Sequence, residues 1–152
     1  MNYWIVKTEP EAYSIDDLAR DKKTPWEGVR NYQARNFLRA MEVGDGVLIY
    51  HSSTAHKGVY GIGQVQKAAY PDPSQFDNNN HYFDPKATKE KPLWYCPDIA
   101  YVEHCNKPVS LAIIKSDPAL EGIQLREPGL RLSVMPVTKK HFTYIQRLGG
   151  KK

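Results

Sequence analysis

Sixteen residues, TPWEGVRNYQARNFLR from Thr24 to Arg39, hold the densest group of side chains able to grip a planar ligand. An indole (Trp26), a glycine (Gly28), an arginine (Arg30), an asparagine (Asn31) and a phenol (Tyr32) follow one another there. A nucleic-acid base offers two π faces, a polar edge and a phosphate behind it. Stacking on Trp or Tyr contributes roughly 1–3 kcal/mol per base, and arginine both forks onto phosphate and stacks on rings. A helix starting at Asn31 would add free N–H groups and partial positive charge for an anion. Gly28 would let the backbone approach a ligand closely. Trp26, Arg30 and Asn31 together therefore read as a recognition surface. Tyr32 is balanced between ligand contact and stapling the loop. Arg35 is the candidate for a phosphate, and Arg39 reads as a solvated helix face.

Other polar groups sit where strands should end. VKTEPE places Lys7, Thr8 and Glu9 together. A lysine desolvated near a carboxylate can act as a base, but solvated charges at a strand end are the plainer reading. YHSST sets His51 beside Ser52 and Ser53; neighbours on a strand point to opposite faces, and no G-x-S-x-G elbow exists. No catalytic residue is assigned. In a small barrel the strand ends gather at one mouth, and mouths bind ligands. Lys7-Thr8, Tyr50-His51-Ser52 and Arg131-Leu132-Ser133 are expected to meet there. His51, His56, His81, Cys96, His104 and Cys105 form no CxxC or HExxH pattern, so no metal is expected. GVYGIGQV lacks the third glycine of a dinucleotide fingerprint, and no cofactor is expected.

These groups need elements to hold them. NYWIVK reads as a first strand. Ser14 with Asp17 three residues on resembles a capping box opening a short helix. Asn31 is a good N-cap, and Ala34, Phe37, Leu38 and Met41 recur at helical spacing as a core-facing stripe. GVLIYH and GVYGIGQVQKAAY read as strands, with Gly61 and Gly63 suggesting a bulge or close backbone approach. YPDPSQFDNNNHYFDPK reads as loop. PLWYCPDIAYVEHC reads as a strand that Pro97 makes an edge or a bulge. Ser110 caps a short helix over SLAIIK, a last short strand follows in RLSVMPV, and Thr138 caps a final helix to about Leu148. Strands and short helices alternate without a βαβ rhythm, which predicts an α+β fold with a mostly antiparallel, barrel-like sheet.

Composition bounds the rest. A chain of 152 residues, 41% apolar and 25% charged, suits one domain with a sizeable core. A net charge of +4 and a pI near 9.0 mildly favour an anionic partner. Two cysteines are too few for a disulfide framework. No run is apolar enough for a leader or a membrane span, so the expected setting is the cytoplasm, or the nucleus in a eukaryote. Lys151 and Lys152 are expected to fray after Gly149-Gly150.

The segments NYWIVKTEPEAYSIDDL, WEGVRNYQARNFLRAMEVGDGVLIYHS, GIGQV, YPDPSQFD, YFDPK, PVSLAIIK and RLSVMPV resemble the EVE domain family in order and spacing. The resemblance spans residues 1–148 as a single domain, leaving 149–152 as tail. It implies a PUA-like pseudo-barrel decorated by helices and a non-enzymatic module for DNA or RNA. Its pocket would take a flipped, modified base, with methylated or hydroxymethylated cytosine as the ligand class. It carries over Trp26, Arg30, Asn31 and Tyr32 from the WxGVRNYQARN motif, Lys7 from WIVKTEP and His51-Ser52 from YHS, with Trp4, Trp94 and Ser133 as further pocket members. A monomer without membrane contact is expected. Two rivals stay open: a small hydrolase of modified nucleosides, and a protein-interaction adaptor.

Overall fold

Six strands make one sheet in the order β2-β5-β4-β3-β1-β6. They are β1 (Tyr3–Thr8), β2 (Lys23–Pro25), β3 (Gly46–His51), β4 (Gly58–Pro71), β5 (Tyr95–Ser110) and β6 (Val134–Val137). Four helices decorate it: α1 (Ile15–Asp21), α2 (Tyr32–Ala40), α3 (Leu111–Ser116) and α4 (Lys139–Gly149). The computed structural model describes residues 1–151. All pairings are antiparallel except β1 with β3, which run parallel from Tyr3 opposite Gly46 to Thr8 opposite His51. The architecture is the α+β, mostly antiparallel sheet that the strand pattern predicts.

The helices begin where side chains can satisfy their free N–H groups. The Ser14 hydroxyl accepts from Asp17 N–H, and Asp17 accepts from Ser14 N–H, a complete capping box. Asn31 Oδ1 accepts from Ala34 N–H at 2.9 Å. Ser110 and Thr138 cap α3 and α4 in the same way. In α2 the stripe of Ala34, Leu38 and Met41 is buried, and Phe37 packs its ring 6.0 Å from Trp4. β4 and β5 are long and change register repeatedly, at Val59/Gly61, Ile62/Gly63, Val65/Lys67 and Lys67/Tyr70. Such bulges bend and twist strands, which is how so few wrap a core. Gly61 serves close approach: a Cβ there would lie 2.5 Å from the Ile15 side chain of α1.

Two expectations need correction. Part of YPDPSQFDNNNHYFDPK is ordered structure, since β4 continues to Pro71 and Pro73–Phe76 forms a 3-10 turn capped by Asp72. The tail does not fray at 149. Gly149 still closes α4, Gly150 C=O accepts from Asn106 N–H at 3.1 Å, and Lys151 bridges to Cys105. Lys152 lies outside the described residues. No helix among the described residues is long and apolar enough to cross a membrane.

Candidate functional site

The three strand ends do converge. Lys7 and Thr8 lie opposite Tyr50 and His51 across the parallel pair. Lys7 N–H donates to Ser133 C=O at 2.8 Å, and Ser52 N–H donates to Thr8 C=O at 2.9 Å. Pairing parity then sorts the side chains, because consecutive strand residues face opposite sides. Lys7 and Tyr50 share one face, the Lys7 ammonium lying 5.7 Å from the Tyr50 ring centre. Thr8 and His51 share the other. Burial lowers the Lys7 pKa, and its ammonium has no ion-pair partner among the described residues.

His51 is buried between α1 and β4. Its Nε2 accepts from Ile15 N–H at 3.1 Å, and its ring stacks on Tyr60 at 4.1 Å. An accepting Nε2 places the proton of the neutral ring on Nδ1. Burial lowers the His51 pKa, against a smaller opposing pull from Asp16. The unfolded chain therefore takes up a proton first. Folding stability is full above the ordinary histidine value of 6.5 and falls as pH drops below it. His141, lowered by burial too, acts in the same sense. Unfolding titrations from about pH 7.5 down to about pH 5.5 should show this loss, and His51→Gln should flatten most of it.

The Trp26–Tyr32 segment sits elsewhere on the surface and is built around a buried carboxylate. Asp72 is fully buried. It accepts from Gly28 N–H at 2.9 Å, Arg30 Nη1 at 3.1 Å, Ser74 N–H at 2.8 Å and the Ser74 hydroxyl at 2.5 Å. Burial alone would raise its pKa. The Ser74 hydroxyl, the two backbone N–H groups and Arg30 outweigh that and hold it below the usual carboxylate value. All five N–H donors of Arg30 are engaged inside the protein, on Tyr82 C=O twice, Val29 C=O, Asp72 and Ser74. Sequence reading turns Arg30 toward a ligand; the fold turns its fork inward, where it ties the loop to the 72–84 segment.

Around that clamp runs a stack of alternating rings and cations. The Arg30 guanidinium lies 5.5 Å from the Tyr82 ring and 5.4 Å from the Trp94 ring. Tyr32 stacks on Trp94 at 4.9 Å, and the Arg35 guanidinium lies 4.8 Å from the Tyr32 ring centre. The Tyr32 ring is thus held between side chains of the clamp and its own helix, yet the residue stays 55% exposed. Arg35 is held by Leu93 C=O and the Asn36 side chain. Arg39 lies 4.3 Å from the Tyr95 ring.

Trp26 lies between the two groups. It is 8% exposed and packed in the core, with Tyr13 edge-on at 6.2 Å. Tyr13 C=O in turn accepts from the Thr8 hydroxyl at 2.7 Å. A chain of contacts thus runs from Ser52 through Thr8 and Tyr13 to Trp26. Arg30, Asn31 and Tyr32 share no hydrogen bond or ring contact with Lys7, His51, Ser52 or Ser133. The Trp26 indole N–H has no partner among the described residues yet is not sealed from solvent, and Asn31 spends its amide oxygen on the cap while its amide N–H₂ stays free. Of the other residues that the family resemblance suggests, Trp4 is buried with its indole N–H on Asp45, and Trp94 donates to Asp84.

Sequence reading misses Asp72, Ser74, Tyr82 and Tyr13. Asp72-Pro73-Ser74 carries the signature of a cap, but nothing local says that its carboxylate reaches across to Arg30. No group of three His, Cys, Asp or Glu side chains among the described residues could hold a metal ion.

The EVE domain family profile matches residues 2–148. Thymocyte nuclear protein 1 of Homo sapiens is 37% identical across 99% of this chain and 75% of its own length. A crystal structure of a Pseudomonas syringae protein superposes with a TM-score of 0.93 at 47% identity, covering 97% of this chain and 99% of that one. The human THYN1 protein, crystallised with DNA containing 5-methylcytosine, superposes with a TM-score of 0.92 at 35% identity, covering 100% of this chain and 99% of its own. With sequence and fold agreeing along its length, this chain belongs to the EVE domain family.

Proposed function

We propose that this protein is a non-enzymatic reader of a modified base in nucleic acid, with a methylated cytosine as the ligand class. The observation that carries the reading is the match, over the whole chain, to a protein crystallised with DNA containing 5-methylcytosine. The geometry supports it. The Trp26 indole N–H, the Asn31 amide N–H₂, the Ser52 hydroxyl and the Lys7 ammonium are donors without internal partners, suited to the acceptor edge of a base or to phosphate. Trp26 and Tyr13 supply rings near Thr8. His51 and Ser133 fix the strand ends behind them, and Tyr32 and Arg35 border the loop. Arg30 acts as a positioning residue through Asp72.

Flipping a base costs a few kcal/mol of unstacking, and one methyl in an apolar niche discriminates by only about 1–3 kcal/mol. Selectivity for the modification should therefore be modest. Binding of short oligonucleotides with and without 5-methylcytosine, by fluorescence anisotropy, tests the reading. Wild type should prefer the modified strand. Trp26→Phe, which keeps an aromatic ring but loses the N–H, should weaken binding by about tenfold, the worth of one hydrogen bond left unmade. Equal affinity for both strands at every salt concentration, with Trp26→Phe unchanged, would sink the proposal.

A further inference from the structure

The positive charge of this chain is concentrated at one end of the sequence. Residues 137–152 contain Lys139, Lys140, Arg147, Lys151 and Lys152 and no acid, whereas the rest holds the other 16 basic side chains against all 17 acidic ones. Without that segment the chain would be slightly acidic.

Three of these cations meet on α4. The inner side of the helix buries Phe142 and Ile145, and Phe142 rests 4.6 Å from the Tyr3 ring. The outer side carries Lys139, Lys140, Thr143 and Arg147, which with Ala119 and Tyr144 line a concavity of about 570 Å³. None of the three cations pairs with an acid among the described residues. Tyr144 donates its hydroxyl to Asp117 at 2.6 Å, which fixes the ring as part of the floor. The groove thus has a cationic rim over an apolar base.

Its position separates it from the loop site. Tyr3, under α4, and Trp4, against Phe37 of α2, are consecutive strand residues and point to opposite faces. A ligand held at Trp26 and the start of α2 leaves α4 open. An extended peptide can drop an apolar side chain onto Ala119 and Tyr144 while its carboxylates meet the rim. A phosphodiester backbone satisfies the cations but has no apolar group for the floor.

We infer that the α4 groove docks an acidic segment of a partner protein, with an apolar side chain anchored on Ala119 and Tyr144 and carboxylates on Lys139, Lys140 and Arg147. The inference is independent of the base-reading proposal. The probe is a fluorescein-labelled peptide of aspartates and glutamates around a central Leu-Phe pair, titrated with full-length protein. Binding should weaken with salt. It should fall about tenfold when Lys139, Lys140 and Arg147 are all changed to Gln, as three rim pairs of ordinary strength predict. Ala119→Glu should also abolish it, and a peptide with Ser in place of Leu-Phe should bind several-fold more weakly. Lys139, Lys140 and Arg147 are exposed and Ala119 is half-buried in the groove floor; unchanged melting together with unchanged oligonucleotide binding would show that the fold and the other face are intact. The inference is overturned if the peptide does not bind, if the triple variant binds it as well as wild type, or if an unmodified oligonucleotide displaces it from the groove.

Discussion

Asp72→Ala is expected to lower the unfolding free energy by about 3–5 kcal/mol, the range for removing one partner of a buried ion pair. The carboxylate is fully buried and holds four donors, so its loss leaves them unsatisfied together. Arg30 suffers most, because its side chain is only 22% exposed and Asp72 is the one acid its fork touches among the described residues. The neighbourhood resists repair. Gln75 binds both Asp72 C=O and Trp94 C=O through its amide N–H₂ and receives Leu93 and Trp94 N–H on its amide oxygen, so the 72–76 turn and the start of β5 move as one. Urea unfolding at neutral pH measures the effect. Asp72→Asn should cost less, since it keeps the shape and one acceptor oxygen while losing the charge; a loss equal to that of the alanine variant would show that the charge carries the whole clamp, and no loss would show that it is irrelevant.

Gly28→Ala should cost about 1–2 kcal/mol of stability and a larger share of ligand affinity. Gly28 has φ +85°, where a side chain is strained whatever the space. Its missing Cβ would also stand 2.5 to 2.9 Å from the ring atoms of Tyr82. Either the ring or the loop must shift. Tyr82 is held by Arg30 through its carbonyl and its ring face, so the displacement passes into the Trp26–Asn31 segment. Chemical denaturation reads the stability, and anisotropy with the methylated oligonucleotide reads the affinity. An affinity loss no larger than that of an alanine variant at exposed Gln33 would mean that this loop takes no part in binding.

How much of this was legible depends on the range of each interaction. Caps are local, so Ser14, Asn31, Ser110 and Thr138 read correctly as helix starts, and the stripe of Ala34, Leu38 and Met41 gave the buried side of α2. Pro97 correctly signalled irregularity in β5. The convergence of Lys7, His51 and Ser133 followed from strand ends meeting at one rim. The inward turn of Arg30 was not legible, because its acceptors lie more than forty positions away, at Asp72, Ser74 and Tyr82. An arginine beside Trp and Tyr reads the same whether it faces a ligand or a buried carboxylate. The surroundings of Tyr32 were hidden for a related reason: its ring stacks on Trp94, from just before β5 and more than sixty positions along the chain. Cys105 and Asn106 retain the tail to residue 151, again through pairing across the fold.

The place of β1 has a consequence for synthesis. Its Tyr3–Thr8 backbone is made before both of its partners, one edge pairing with residues 46–51 and the other with residues 134–137. Until the late segment emerges, an apolar strand with buried Trp4, Ile5 and Val6 keeps an open edge in the nascent chain. Long-range closure of this kind is slow. Chaperone capture and aggregation of partial products should therefore be concentrated in chains that stop short of Val137, and slowing elongation upstream should not relieve them.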